Sequence, residues 1–405
     1  MGQGSVEEFL REGVSRHARG DLDGAARFYR RVLARQPGDP NALNLLGIVA
    51  RQRGDLPRAL DLAARAVAAR PGNPVFLANQ GAALAEAGRL AEAVAAFRSA
   101  LARRPDDALT LRNLGQALTA MGDARGAVTV LRKAVALAPQ APEPLLALAH
   151  ALREAGEAGA GDVAQRVLSM PGVPPAIADQ ARFLLAALGE AEVPDRAPAS
   201  YVRDLFDQYA ARFDEDLRTR LRYRTPDALA ALLVSAGISP DGARRVLDLG
   251  CGTGLSGVAL RPFAKRLTGL DLAPRMLAEA ARRGIYDALH EADLLEWLPS
   301  QRGGFDLIVA ADVLNYLGDL APAFSAMAKA LSAAGIAAFS IEAGSDAAFE
   351  LGPGMRYRHD PEHVASLAAK LGFAELARES TILREEQGAP VRGVLFVLRR
   401  TAPGD

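Results

Sequence analysis

"RRVLDLGCGTGLSG", residues 244–257, runs from a leucine-rich strand signal into a cluster of glycines, and two spacings overlap in it. Gly250, Gly252 and Gly254 form G-x-G-x-G, whereas Gly252, Gly254 and Gly257 form G-x-G-x-x-G. Glycines between a strand and a helix let the backbone approach a ligand closely, and the helix then points its positive N-terminus at an anionic group. A pyrophosphate and an amino-acid carboxylate satisfy that arrangement equally. The glycines alone do not decide between them.

The segments around this loop define its setting. "RVLDLG", "LTGLDL", "DALHEA", "FDLIVAA" and "GIAAFSIEA" alternate with amphipathic helical stretches, which predicts a parallel sheet covered by helices on both faces. "AELARESTIL" and "VRGVLFVLRR" are separated only by "REEQGAP", so they must pair antiparallel. In an open sheet of this kind the ligand lies beyond the carboxyl ends of the strands, beside the first one.

The acids near those ends separate the two ligands. Asp248 lies inside the first strand, where a negative charge would repel a pyrophosphate and attract an ammonium. Asp271, with Leu272 after it, closes the second strand at the distance where a carboxylate accepts hydrogen bonds from ribose hydroxyls, and this acid is common to both ligands. Asp293, followed by Leu294, ends the third strand and could accept from an adenine amino group, and Asp312 follows the fourth.

Asp248, Gly250, Gly252, Gly254, Asp271, Asp293 and Asp312, with the terminal antiparallel pair, resemble the class I S-adenosylmethionine-dependent methyltransferases over Ser200 to Asp405. The resemblance implies that the glycines and Asp248 surround the methionyl group, Asp271 the ribose, and Asp293 with Leu294 the adenine. It sets Asp312, Asn315 and Tyr316 beside the sulfonium and the acceptor. An acceptor that must lose a proton would need a base, for which Asp312, Tyr209 and His359 are the candidates. Tyr201, Phe206, Tyr209 and Phe213 share a helical face, read as core packing or as a lid over the cofactor. His359, Asp360 and His363 have metal-ligand spacing, but "DPEH" reads more simply as an Asp N-cap followed by Pro at the first helical position, and no metal is expected.

The first half repeats itself. Gly20, Gly54, Gly88, Gly122 and Gly156 are 34 residues apart, as are Pro37, Pro71, Pro105 and Pro139. Gly13, Gly47, Gly81 and Gly115 keep the same period, with Ala25, Ala59, Ala93 and Ala127. Glycine and alanine let paired helices approach, the second glycine series ends each first helix, and each proline stops the second. This resembles the tetratricopeptide repeat. The expected division is 1–175 for four repeats and a degenerate fifth, 176–199 for a capping helix and linker, and 200–405 for the sheet domain. The expected fold is therefore an all-α repeat solenoid followed by a Rossmann-like α/β domain with a mostly parallel seven-stranded sheet and a C-terminal antiparallel hairpin.

The whole chain also resembles bacterial fusions of tetratricopeptide repeats to a methyltransferase, notably in "LFDQYAARFDEDLRTRLRYRTP", "MRYRHD" and "REEQGAPVRGVLFVLRR". The implied cofactor is S-adenosyl-L-methionine; the acceptor is unnamed. The repeats' concave face would hold a protein or peptide partner, or the repeats would pair two copies or brace the second domain. An interaction scaffold that binds the nucleotide without transfer, and more remotely an NAD-dependent dehydrogenase, are the other readings.

Lys+Arg and Asp+Glu both number 48, so no bulk charge draws the chain to nucleic acid or anionic membrane. One cysteine, Cys251, excludes an intramolecular disulfide and fits a reducing cytoplasm. No apolar run approaches the ~18 residues of a membrane span.

Overall fold

A computed structural model describes residues 5–401 apart from 220, 345 and 387. Contacts divide the chain into two units, Met1–Ile177 and Ala178–Asp405.

The first unit is a series of helix pairs: α1 (Val6–Ala18) with α2 (Leu22–Arg35), α3 (Pro40–Gln52) with α4 (Leu56–Ala69), α5 (Pro74–Glu86) with α6 (Leu90–Arg103), α7 (Ala108–Ala120) with α8 (Ala124–Leu137), and α9 (Pro142–Ala155) with α10 (Ala160–Ser169). Side-chain caps start most of them. Ser5, Asp39, Asn73 and Asp107 accept amide protons at the first helix of four pairs, and Asp21, Asp55 and Asp123 at the second helix of three. Arg89 stands where the fourth of these caps would be and makes no side-chain cap. The first helices end at Gly20, Gly54, Gly88, Gly122 and Gly156, all with φ between +65° and +85°. Close crossing is equally literal. A Cβ on Gly13 would come within 2.5 Å of the Tyr29 ring and one on Gly81 within 2.7 Å of Phe97. Gly115 is likewise filled by Leu131, whereas Gly47 has ordinary contact distance to Leu62.

The second unit begins within α11 (Pro175–Ala187), followed by α12 (Ala199–Tyr209), α13 (Phe213–Thr219) and α14 (Thr225–Ser235). The sheet section then runs β1 (Arg244–Leu249), α15 (Leu255–Leu260), β2 (Ala264–Asp271), α16 (Pro274–Arg282), β3 (Ala288–Glu291), α17 (Leu294–Trp297), β4 (Phe305–Ala310), α18 (Ala321–Ala330) and β5 (Leu331–Glu342). A small hairpin, β6 (Phe349–Leu351) with β7 (Tyr357–His359), precedes α19 (Pro361–Lys370), β8 (Phe373–Glu386) and β9 (Ala389–Arg400). The seven-stranded sheet has the order β3-β2-β1-β4-β5-β9-β8, and only β9 runs against the others, pairing antiparallel with both β5 and β8. Alternate residues of its central strands feed two cores: Leu247, Leu249 and Ile308 one, Val246, Leu307 and Val309 the other. Among the described residues no helix is long and apolar enough to cross a membrane.

The stretch 176–199 makes contacts within the second unit. In "IADQARFLLAALGEAE", the expected capping helix, Phe183 of α11 packs on Tyr201 and Tyr357, and Gln180 donates to Asp204 at 2.9 Å. "EVPDRAPAS" was expected to be linker, yet it is strapped to the second unit. The Pro194 carbonyl accepts from the Tyr357 hydroxyl, the Asp195 carbonyl from the amides of Gly318 and Asp319, and the Ala197 amide donates to Tyr316. Backbone polar groups that find such partners do not stay a free linker.

Candidate functional site

The order of strand addition reverses between the parallel neighbours β1 and β4, which opens a crevice at their carboxyl ends. The glycine loop enters it directly from β1. Gly250 and Gly252 carry φ of +67° and +53°, values that a residue with a Cβ reaches only at a cost. A Cβ on Gly252 would meet nothing nearer than Phe213 at 3.8 Å, so the backbone lies open toward a cavity of about 260 Å³. Gly250, Gly252, Asp271, Leu272, Asp293 and Leu294 line that cavity, as do Asp312, Asn315 and Tyr316.

Asp271 is fixed at the end of β2 by two backbone amides. Gly252 N donates to one oxygen and Ala273 N to the other, both at 2.8 Å. Burial outweighs these bonds and pushes its pKa up to about 6. Each oxygen keeps a lone pair for a hydroxyl donor. Asp293 N-caps α17, accepting from Leu295 N at 2.8 Å, and pairs with Arg196 at 3.1 Å.

Two residues expected around the methionyl group do not reach the cavity. Asp248 is fully buried, accepts from Ser256 Oγ at 2.7 Å and from the Tyr286 hydroxyl at 2.6 Å, and does not line the cavity. Strand alternation explains this, because Asp248 shares the face of Val246 rather than that of Leu247 and Leu249. Burial raises its pKa to about 6 as well. Gly254 begins α15 instead of lining the cavity, and a Cβ there would meet Arg283 and Tyr286. Gly257, inside α15, leaves the space that the Tyr286 ring fills. Beside this loop Cys251 is buried, and burial pushes its thiol pKa far up.

Asp312 follows β4 with φ +56°, a conformation Asp tolerates better than most residues but still strained. Ser340 on β5 holds it from both ends: its hydroxyl donates to Asp312 Oδ1 and accepts from the Asp312 amide, each at 2.8 Å. Burial raises the Asp312 pKa, against the pull of Arg384 at 3.5 Å. Tyr209 lines the cavity beside Phe206 and Phe213. The aromatic face is thus both packed and part of the cavity wall. The third candidate base, His359, is not. It is 1% exposed, its Nε2 donates to the Gly318 carbonyl at 3.1 Å, and burial lowers its pKa. It lies on β7, behind Gly318, and does not line the cavity. Asp360 N-caps α19, its oxygens accepting from Glu362 N and His363 N.

Sequence reasoning missed an ion network next to Asp312. Arg384 and Glu386 share one face of β8, and Arg384 contacts Asp312, Glu342 and Glu386. Arg356 pairs with Glu342 at 2.8 Å and with Glu386. Burial opposes ionisation of Glu342, but Arg384 and Arg356 more than offset it and hold its pKa below the usual range. The signal was present: Arg356 lies in "MRYRHD", Arg384 and Glu386 in "REEQ", and Ser340 and Glu342 are the polar residues of the otherwise apolar run 336–342.

Known proteins match both halves. The family described as "Methyltransferase domain" matches residues 246–335, and "Tetratricopeptide repeat" matches 10–74 and 78–142. Human Methyltransferase-like protein 27 is 35% identical over 125 residues, which is 30% of this chain and 49% of that protein. Trans-aconitate 2-methyltransferase of Escherichia coli is 37% identical over 121 residues, 29% of this chain and 47% of that protein. The chain therefore spans about half the length of the curated relatives it matches. Among solved structures, the N-methyltransferase NodS of Bradyrhizobium japonicum with S-adenosyl-L-homocysteine is 24% identical with a TM-score of 0.40, covering 50% of this chain and 99% of that one. The tetratricopeptide protein TTC0263 of Thermus thermophilus is 24% identical with a TM-score of 0.39, covering 45% and 99%.

Proposed function

We propose that this chain, which carries tetratricopeptide repeats and a methyltransferase domain, is an S-adenosylmethionine-dependent methyltransferase whose repeats recruit or position a protein or carrier-bound acceptor. The observation that carries the reading is the Asp271 carboxylate, held by the Gly252 and Ala273 amides at the wall of a cavity that the open glycine loop also lines.

The residues fit the cofactor. Asp271 would accept the ribose hydroxyls, Asp293 and Leu294 would face the adenine, and the backbone of Gly250 and Gly252 would lie against the methionyl end. Asp248 acts there only through the loop that it anchors with Ser256 and Tyr286. Bound S-adenosylmethionine supplies an activated methyl group on a sulfonium, so the chain's own task is alignment and exclusion of water. Phe206, Tyr209 and Phe213 give an apolar wall for that purpose. Asp312, partly buried and held by Ser340, is the base we assign for an acceptor that must lose a proton.

Two measurements test the reading on the full chain. Calorimetry should detect S-adenosylhomocysteine binding, and isotope-labelled S-adenosylmethionine should deliver its methyl group to a component of a bacterial extract. Binding without transfer would favour the scaffold; absence of binding would exclude both.

A further inference from the structure

Asn315 is 3% exposed and lines the cavity. Its Nδ2 donates to Glu342 Oε1 at 3.2 Å, and because that carboxylate oxygen can only accept, the amide's orientation is fixed. Its Oδ1 is buried with no hydrogen-bond partner. A buried acceptor left in this state calls for an N–H or O–H from a ligand.

Charge points the same way. Asp312, Glu342 and Glu386 face only Arg356 and Arg384 in the network, leaving one formal negative charge in excess. The arginines among the described cavity-lining residues, Arg196, Arg356 and Arg384, are all already paired with carboxylates. An incoming carboxylate would add a fourth anion and would have to displace one of these pairs. Apolar side chains also line the cavity, Val202, Leu205, Leu217 and Leu221 among them.

Building on the methyltransferase reading above, we propose that the acceptor is an amine on a largely apolar body, bound through Asn315 Oδ1 and the carboxylate of Asp312. The amine arrives as an ammonium and passes one proton to the Asp312 carboxylate. The freed nitrogen lone pair forms the N–CH3 bond as the S–CH3 bond breaks, and that electron pair stays on sulfur. The product leaves as a methylated ammonium, and Asp312 returns its proton to water.

The test uses the full chain saturated with S-adenosylhomocysteine and three probes of equal length: n-octylamine, octan-1-ol and octanoate. Calorimetry should show the amine binding at least tenfold more tightly than either isostere, and Asn315→Leu, likewise saturated with S-adenosylhomocysteine, should reduce that preference. Equal affinities, or a preference for octanoate or octanol, would overturn the proposal. In the labelled extract, a methyl carbon bonded to nitrogen by carbon-13 correlation spectra supports it, and one bonded to oxygen, sulfur or carbon overturns it while leaving the methyltransferase reading intact. Failure to bind S-adenosylhomocysteine at all would sink that reading first.

Discussion

At Asp271, burial and ligand binding oppose each other. Its carboxylate has a pKa of about 6 in the folded chain, above the ordinary value, so ionising it costs folding stability; that cost is absent below the unfolded pKa and complete above about pH 6. Cofactor affinity runs the other way, because only the ionised group offers two full acceptors to ribose hydroxyls. S-adenosylhomocysteine affinity should therefore fall as pH drops through 6, and calorimetry at pH 5 and pH 7.5 checks it. Asp271→Ala should weaken binding by about 10- to 100-fold at pH 7.5, the loss of one to two hydrogen bonds to a charged group. A variant that binds as tightly as the parent would remove Asp271 from the ribose site. The position of this residue was legible, since strand end and offset from the glycines are both sequence properties. That of Asp248 was not. Its fate depends on Tyr286, 38 residues away, whose hydroxyl donates to it at 2.6 Å, and no local pattern announces that partner. His359 failed for a similar reason, as the Gly318 carbonyl that holds it comes from 41 residues away.

Helices were the most legible elements, because each repeat restates the same local rules. The capping register exposes one lapse. Asp21, Asp55 and Asp123 cap their helices, and Arg89 in the same register does not cap α6. Arg89→Asp should stabilise the chain by about 0.5–1 kcal/mol, a cap gained against the loss of an exposed pair with Glu92; thermal melting should show the midpoint rise, and a fall would refute it. Gly115→Ala should do the reverse. Its Cβ would overlap the Leu131 side chain, and such overpacking costs about 1–3 kcal/mol, whereas Gly47→Ala has room and should cost less. In the sheet, the period of two was readable for the buried strands, but β6 and β7 were not, being three residues each with no sustained alternation.

For the molecule as a whole, the seam matters more than its composition suggested. A proline-rich stretch reads as linker, yet Pro194, Asp195 and Ala197 satisfy groups of Tyr357, Gly318, Asp319 and Tyr316, and Phe183 is 1% exposed. A fragment starting at residue 200 loses all of these and uncovers Tyr357, a core aromatic. Relative to a fragment starting at 174, it should melt roughly 10 °C lower, the scale expected for deleting one buried phenylalanine from a domain of this size. Equal melting points would return the strap to the status of a linker.

Cys251 is the chain's one thiol, buried beside the glycine loop with its pKa pushed far up. Thiol reagents act on the exposed thiolate, so the natural protein is a silent background for them. A single cysteine introduced on any solvent-facing helix would be the only position to accept a spin label or fluorophore. Paired introductions, one in the repeats and one in the sheet domain, would then report distances in solution without first removing a native cysteine.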